Sequence, residues 1–126
     1  MMNTTDAEAY WKYKIPIFPP TSNQIWRTVG PKKVVLSKEA RNWYKDAALF
    51  ITGRGKNRVG PWTVKLTLYP PNARKIDIDN RIKSVLDLFN RVEWWLDDSE
   101  VLDLRVFKMP PCAIKPGVTV EIWDFL

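Results

Sequence analysis

The feature that most constrains the fold is an alternation of side-chain type over residues 62–69. Apolar residues occupy every second position: Trp62, Val64, Leu66 and Leu68. Because successive side chains of a β-strand point to opposite faces, this period of two predicts a strand. Further along, the spacing of Ile82, Val85, Leu86 and Phe89 is typical of the buried face of a helix, predicted to run from Asn80 to Asn90. A strand therefore leads into an amphipathic helix.

The remaining patterns predict a small α+β domain. Strands are predicted at 13–18, before Pro19-Pro20, and around 102–106 and 118–122. Residues 21–33 are predicted to be a polar, basic loop. A first helix follows Ser37 as N-cap, with an apolar stripe that ends before Gly53, and residues 52–61 are predicted to be a mobile loop. The predicted fold is a two-layer sandwich, a mixed β-sheet packed with two main helices, in the order β-α-β-α-β-β.

Charge is segregated along the chain. Between residues 9 and 76 there are fourteen Lys and Arg against two acidic residues, a net charge of +12, whereas residues 77–103 carry three basic and eight acidic residues, a net charge of −5. A basic surface beside an acidic pocket suits a protein that holds a polyanion and places a divalent cation against a phosphate. Nucleic acid is the expected polyanion, and the alternative is a basic surface that serves only solubility.

The residues predicted to bind DNA are polar or basic: Asn23, Arg27, Lys32, Lys33, Arg54, Lys56, Arg58, Arg74 and Lys75. Several of them lie in the basic stretch 53–58, which does not fit a phosphate-loop pattern. This stretch is interpreted as a DNA-backbone contact, with a simple linker as an equal alternative.

Three acidic residues form the predicted metal site. Asp77 and Asp79 point the same way in an extended segment, and the pair Asp97-Asp98, about one helix later, offers a third acid. Oxygen ligands favour Mg²⁺ or Mn²⁺, and the absence of histidine from the sequence excludes imidazole as ligand or base. Alternatively, Asp79 is only a helix N-cap, Asp77 only interacts with the helix dipole, and Lys83 only forms an ion pair with Asp79.

The composition of the chain restricts its class and its cellular compartment. The chain has 126 residues and a single cysteine, Cys112, which excludes an internal disulfide and a cysteine zinc cluster. The first ten residues lack a signal-peptide core and are predicted to be an unstructured arm, and the longest apolar run, 47–51, is too short to span a membrane. We expect one domain over residues 1–126, soluble, cytoplasmic and close to nucleoid DNA. Trp94 and Trp95 are expected in the core, with a subunit contact or base stacking as the alternatives.

Three segments resemble the RusA family of Holliday junction resolvases: 19–23 (Pro-Pro-Thr-Ser-Asn), 77–89, which begins Asp-Ile-Asp-Asn-Arg-Ile-Lys, and 95–101. The resemblance implies a homodimeric, Mg²⁺- or Mn²⁺-dependent endodeoxyribonuclease that resolves four-way DNA junctions by paired nicks. By position, it implies that Asp77, Asp79 and Asp98 are catalytic carboxylates and that Lys83 is an essential lysine. The turn at 92–95, Val-Glu-Trp-Trp, departs from the small or glycine-containing turn of the family.

Two other functions fit the same residues. The chain would be a DNA-junction binding module that does not cleave, or a subunit whose acidic segment contacts a protein partner. We expect neither a nucleotide cofactor nor a membrane partner for this chain, and the complete acidic set favours the nuclease over both alternatives.

Overall fold

The computed structural model describes residues 9–21, 26–29, 33–73, 75–111 and 115–126, with the backbone alone at 26–29 and 33–35. In chain order, the elements are β1 Trp11–Ile15, β2 Trp26–Val29, β3 Lys33–Leu36, α1 Lys38–Ala48, β4 Trp62–Tyr69, α2 Asp79–Arg91, a 3₁₀ turn Asp98–Glu100, β5 Val101–Lys108 and β6 Gly117–Asp124. No helix in the described part of the chain has the length and apolar composition needed to cross a membrane.

Four of the strands form one mixed sheet in the order β1-β6-β4-β5. Strand β6 pairs antiparallel with β1 and with β4, whereas β4 and β5 are parallel and joined through α2. Parallel neighbours need such a crossover because the chain must return to the starting end of the sheet. The α+β class and the predicted order of these elements are confirmed.

The prediction of a loop over residues 21–33 was wrong for its second half. Residues Trp26–Val29 and Lys33–Leu36 form a separate antiparallel hairpin in which Val29 is opposite Lys33. These two segments are rich in Trp, Thr, Val and Leu. β-branched and aromatic residues favour extended backbone, and this preference outweighs the effect of the basic residues.

Helix α1 begins as predicted and ends earlier. The Ser37 hydroxyl accepts a hydrogen bond from the Ala40 amide at 3.1 Å, which confirms Ser37 as the N-cap. The helix ends at Ala48 rather than near Gly53, because the amides of the next three residues donate to carbonyls three positions back instead of four. Its buried residues are Ala40, Trp43, Tyr44 and Ala47.

The core beneath the helices is built on aromatic side chains. Trp94 and Trp95 are both 0% exposed, which confirms their expected place in the core. The Trp94 indole nitrogen donates to the Tyr13 hydroxyl at 2.6 Å, and that hydroxyl donates to the Thr52 carbonyl at 3.0 Å. These two hydrogen bonds connect strand β1 to the turn after α2 and to the loop after α1.

The loop predicted to be mobile, 52–61, is instead paired with the turn after α2. The amides of Gly55, Asn57 and Arg58 donate to the carbonyls of Val92, Glu93 and Trp94 at 2.9–3.0 Å. The Arg58 guanidinium carbon also lies 4.4 Å from the centroid of the Trp94 ring, in cation–π contact. Basic composition suggested mobility, but the backbone pairing and the buried tryptophan hold this loop in place.

We predict that Tyr13→Phe destabilises the protein, because the variant leaves a buried indole N–H and a carbonyl without their partner. The expected loss is about 1–3 kcal/mol in the free energy of unfolding, or a decrease of roughly 4–12 °C in melting temperature for a chain of this size. Tyr10→Phe is the control, since Tyr10 is 63% exposed. Equal melting temperatures for both variants would contradict the role given to the Tyr13 hydroxyl.

Candidate active site

The first predicted site residues lie where α2 begins. Asp77 and Asp79 are both exposed, and the cap position is Ile78, which makes no side-chain capping bond. The alternative in which Asp79 is only an N-cap was therefore wrong. The Asn80 side-chain amide donates to Asp77 Oδ2 at 3.4 Å, and Asp79 makes no side-chain hydrogen bond or ion pair with another described residue. Two carboxylates thus face solvent at a helix start.

Lys83 lies one turn further along the same side of α2. Four residues correspond to about 400° of rotation, so Lys83 and Asp79 are about 40° apart around the helix axis. The Lys83 side chain is exposed, and among the described residues neither recorded ion pair includes Lys83 or Asp79. The alternative of a plain Asp79–Lys83 ion pair was therefore wrong, and the ammonium group is available to a ligand.

The opposite side of this helix start holds the proline segment. Ser84 Oγ donates to the Pro20 carbonyl at 2.8 Å, and Arg81 donates to the Pro19 carbonyl while its guanidinium carbon lies 5.0 Å from the Phe18 ring centroid. Burial lowers the pKa of Arg81. Two of the three sequence segments that carry the family resemblance, 19–23 and 77–89, therefore meet, although Asn23 lies outside the described residues.

Asp98 opens the 3₁₀ turn before β5, and its neighbours have structural partners. The Asp97 carboxylate accepts from the Ser99 amide at 3.3 Å, and hydrogen bonds from the Ser99 side chain and backbone lower the pKa of Asp97. Asp103 forms an ion pair with Arg105 at 3.3 Å. Asp98 is half-buried and has no such partner among the described residues, which distinguishes it from the other two acids.

The structure does not bring Asp98 to Asp77 and Asp79 within one chain. Val101, three residues after Asp98, pairs with Trp62 at the start of β4, whereas Lys108 pairs with Leu68 near the end of β4 and donates to the Ile76 carbonyl at 3.3 Å. Six strand residues span roughly 20 Å. No group of three His, Cys, Asp or Glu residues that could hold a metal is found among the described residues. The catalytic and metal-binding roles stay predictions.

Lys108 was not recognised from the sequence as a site residue. Its ammonium holds the carbonyl of Ile76, directly before Asp77, and so ties the acidic segment to the end of β5. A lysine that ends an alternating strand is too common a pattern to predict this contact. Its position depends on the parallel pairing of β4 with β5, which connects residues about forty positions apart.

The predicted DNA-binding residues divide into three groups. Arg54, Lys56 and Lys75 are exposed. Arg58 is only partly exposed, and it donates from Nη1 to the Gly53 carbonyl at 3.1 Å in addition to its contact with Trp94, which favours a structural role. The others are Asn23, Lys32 and Arg74, outside the described residues, and Arg27 and Lys33, for which only the backbone is described.

The second acidic residue of α2, Asp87, has structural partners. Arg91 Nε donates to Asp87 Oδ2 at 2.8 Å, and the Arg91 guanidinium carbon lies 4.3 Å from the Tyr44 ring centroid. Burial raises the pKa of the Tyr44 hydroxyl, and the Asp87 carboxylate raises it further. This cluster joins α1 to α2 and leaves Asp77 and Asp79 as the exposed acids of the site.

Comparison of the sequence with known proteins identifies a family. The model of the family "Endodeoxyribonuclease RusA" matches residues 16–123. A crossover junction endodeoxyribonuclease RusA of Escherichia coli is 30% identical over 113 residues, which cover 86% of this chain and 86% of that protein. The corresponding protein of Enterobacteria phage 82 is 30% identical over 96 residues, 74% of this chain and 78% of that protein. The matched range contains all four predicted catalytic residues.

We predict unequal stability effects at two adjacent positions of α2. Ser84→Ala removes the buried donor to the Pro20 carbonyl and should lower the free energy of unfolding by about 1–3 kcal/mol. Lys83→Ala changes an exposed side chain and should change stability by less than about 0.5 kcal/mol. Urea titrations of both variants measure the difference. A Lys83→Ala variant as unstable as Ser84→Ala would mean that Lys83 has a structural partner.

Proposed function

This chain belongs to the RusA family of endodeoxyribonucleases, and we propose that it resolves four-way (Holliday) DNA junctions by paired, metal-dependent nicks. The observation that carries the proposal is the helix start at which Asp77, Asp79 and Lys83 are all exposed, with Asp79 and Lys83 in no ion pair among the described residues. The relatives from Escherichia coli and phage 82 are both named crossover junction endodeoxyribonucleases. Branched DNA is therefore the proposed substrate, and the protein would act on it in the cytoplasm.

The donor set fits a divalent cation. Mg²⁺ is commonly held by one or two carboxylates together with substrate phosphates, and Asp77 and Asp79 supply two carboxylates on the surface where a DNA strand has access. Mn²⁺ takes the same oxygen ligands. When bound, such an ion acidifies a water molecule and offsets the negative charge that develops on the reacting phosphate.

Lys83 is the remaining charged group of the proposed site. Its ammonium lies one turn above Asp79, within reach of a phosphate held at the helix start. There it would stabilise a non-bridging oxygen or donate a proton to the leaving oxygen, which are both roles for a compact, strongly hydrated cation. Asn80 and Lys108 would act by positioning, because they hold the Asp77 carboxylate and the Ile76 carbonyl.

We propose that Asp98 is supplied by a second copy of the chain. Strand β5 is an edge of the sheet, and Leu102, Leu104 and Phe107 on it are 61%, 39% and 46% exposed. If two β5 strands pair antiparallel around a two-fold axis, the start of one strand lies beside the end of the other. Asp98 of each copy would then approach Asp77 of the other, which one chain alone does not achieve.

The proposed dimer also suits the substrate. Two sites related by a two-fold axis match the approximate two-fold symmetry of a four-way junction, so each copy would cut one strand. The exposed basic residues Arg54, Lys56 and Lys75 supply positive charge for the DNA backbone. Purified protein should therefore cut a synthetic four-way junction with Mg²⁺ or Mn²⁺ and leave it intact in EDTA.

Mixed dimers test the shared site. We predict that Asp79→Asn and Asp98→Asn each abolish junction cleavage and keep junction binding, since Asn preserves shape but not charge. A purified heterodimer of the two variants, made by co-expression with different tags, has one site with both mutations and one intact site if each site combines two chains. It should nick one strand of the junction.

The alternatives give different results. If each site lies within one chain, both sites of the heterodimer are damaged and no nick appears. If no heterodimer can be isolated and the wild type sediments as a monomer, the proposed dimer is wrong. Full cleavage by Asp79→Asn would remove Asp79 from the reaction altogether.

Lys83 is tested by rate. We predict that Lys83→Ala lowers single-turnover cleavage at saturating enzyme and metal by roughly 10²-fold, the effect of losing an acid–base or electrostatic group. Lys83→Arg should not fully restore the rate, because a planar guanidinium does not give up a proton readily. Lys45→Ala, on the exposed face of α1, is the matched control. Wild-type rates in Lys83→Ala would remove this residue from the active site.

A further inference from the structure

A cavity of about 260 Å³ opens at the end of the sheet where β1, β4 and β6 meet. It is lined by residues of all three strands and of the segment before β6: Lys14, Ile15, Pro16, Tyr69, Lys115, Pro116, Gly117, Val118 and Thr119. None of these residues belongs to the acidic site or to the basic residues predicted from the sequence to bind DNA.

The cavity is positively charged. Lys14 and Lys115 line it, no acidic side chain does, and neither lysine takes part in an ion pair among the described residues. A second cavity, of about 390 Å³ beside α1, is lined by Glu39, Asp46 and Arg81 and so has the opposite balance. Two ammonium groups without carboxylate partners favour an anion between them, and the hydroxyls of Tyr69 and Thr119 add hydrogen-bond donors.

The floor of the cavity depends on a glycine. Gly117 has a φ of 153°, and a Cβ at this position would lie 2.2 Å from the Ile15 carbonyl oxygen. Only glycine permits this close approach of β6 to β1. The two strands therefore meet closely where Ile15 and Gly117 line the cavity, and the cavity is a defined feature of the fold.

The cavity lies in line with the acidic site. Lys108, Leu68, Val118 and Ile15 form one row across the four strands, from the β5 edge to the β1 edge. The Ile76 carbonyl is bound at the Lys108 end and the cavity is at the Ile15 end, three strand spacings away, or roughly 14 Å. Each strand of duplex DNA has one phosphate per 3.4 Å of helix axis, so a duplex arm that lies along this row covers the distance with about four nucleotides of one strand.

We propose that this cavity binds a backbone phosphate of the DNA strand about four nucleotides from the phosphate that is cut. This inference rests on the proposed nuclease function and adds a positioning subsite to it. Lys14 and Lys115 hold the phosphate, and the subsite fixes how far the strand extends across the sheet before it reaches Asp77. The cavity stays accessible in the proposed dimer, because it lies near the edge opposite β5.

The test removes charge and keeps side-chain length. In EDTA, binding of a synthetic four-way junction is measured against salt for wild type, for Lys14→Gln/Lys115→Gln, and for the control Lys38→Gln/Lys45→Gln, which changes net charge equally on α1. Loss of one phosphate contact should reduce the salt slope by about 0.9 and the affinity by roughly tenfold. The control should match wild type. Single variants replace the double variant if its melting temperature falls.

A second arm locates the phosphate. Junctions with one neutral methylphosphonate, scanned along the cut strand, should bind wild type more weakly when the substitution is about four nucleotides from the cut. The Lys14→Gln/Lys115→Gln variant should not distinguish that junction from an unmodified one. Agreement of the two arms assigns the contact to this cavity.

The remaining outcomes separate the two proposals. If wild type cuts the junction with Mg²⁺ but the variant and the control have equal salt slopes, the phosphate subsite is wrong and the nuclease function stands. If wild type does not cut but only the variant has a reduced salt slope, phosphate binding in the cavity stands and the nuclease function is wrong. Failure of wild type to bind junction DNA overturns both.

Discussion

The parallel pairing of β4 with β5 is the constraint on which the rest of the structure depends. Because the two strands run the same way, the chain must cross from one end of the sheet to the other between them, and α2 makes this crossing. The helix start with Asp77 and Asp79 is therefore at one end of the sheet and Asp98 is at the other. This separation is the reason why we propose that a second copy of the chain supplies the third carboxylate.

Charged residues with partners inside the protein have structural roles, and those without such partners are available to bind a ligand. Arg58 stacks on Trp94, Arg91 pairs with Asp87, and Asp97 caps the turn before β5. Each of these residues is paired within the protein and stabilises the local structure. Asp79 and Lys83 instead lie one turn apart, exposed and without an ion-pair partner among the described residues. We therefore propose them as the charges that act on an external ion or phosphate.

Local sequence patterns predicted the parts of the fold that depend on neighbouring residues. Strand β4 and the Ser37 cap were correct, because each is determined within one strand or one turn of helix. The predicted buried face of α2 was correct at Val85 and Phe89, whereas Ile82 and Leu86 are only partly buried and the buried Leu88 was missed. The acidic pair at 77–79 was likewise predicted next to a helix start. These features need no knowledge of the sheet order.

Contacts between distant segments explain what the sequence analysis missed. Loop 52–61 looked mobile because its partner, the turn around Trp94, lies far along the chain, and the place of Asp98 depends on which strands are parallel. Lys108 could be recognised only once the end of β5 was known to lie beside Ile76. A motif can indicate which residues take part in a reaction, but it does not indicate whether one chain brings them together.

The two edges of the sheet differ in a way that supports both proposals. Strand β1 carries Lys12 and Lys14 and is followed by Pro16, and lysine and proline discourage the addition of another strand. Strand β5 instead exposes Leu102 and Phe107 along eight residues of edge. An edge with so much exposed apolar surface is poorly suited to remain in water, whereas a lysine-rich edge is suited to a polyanion. A second β5 strand would therefore cover the apolar edge, and a DNA backbone would neutralise the lysines of the β1 edge. The acidic site would then lie between the partner strand and the DNA.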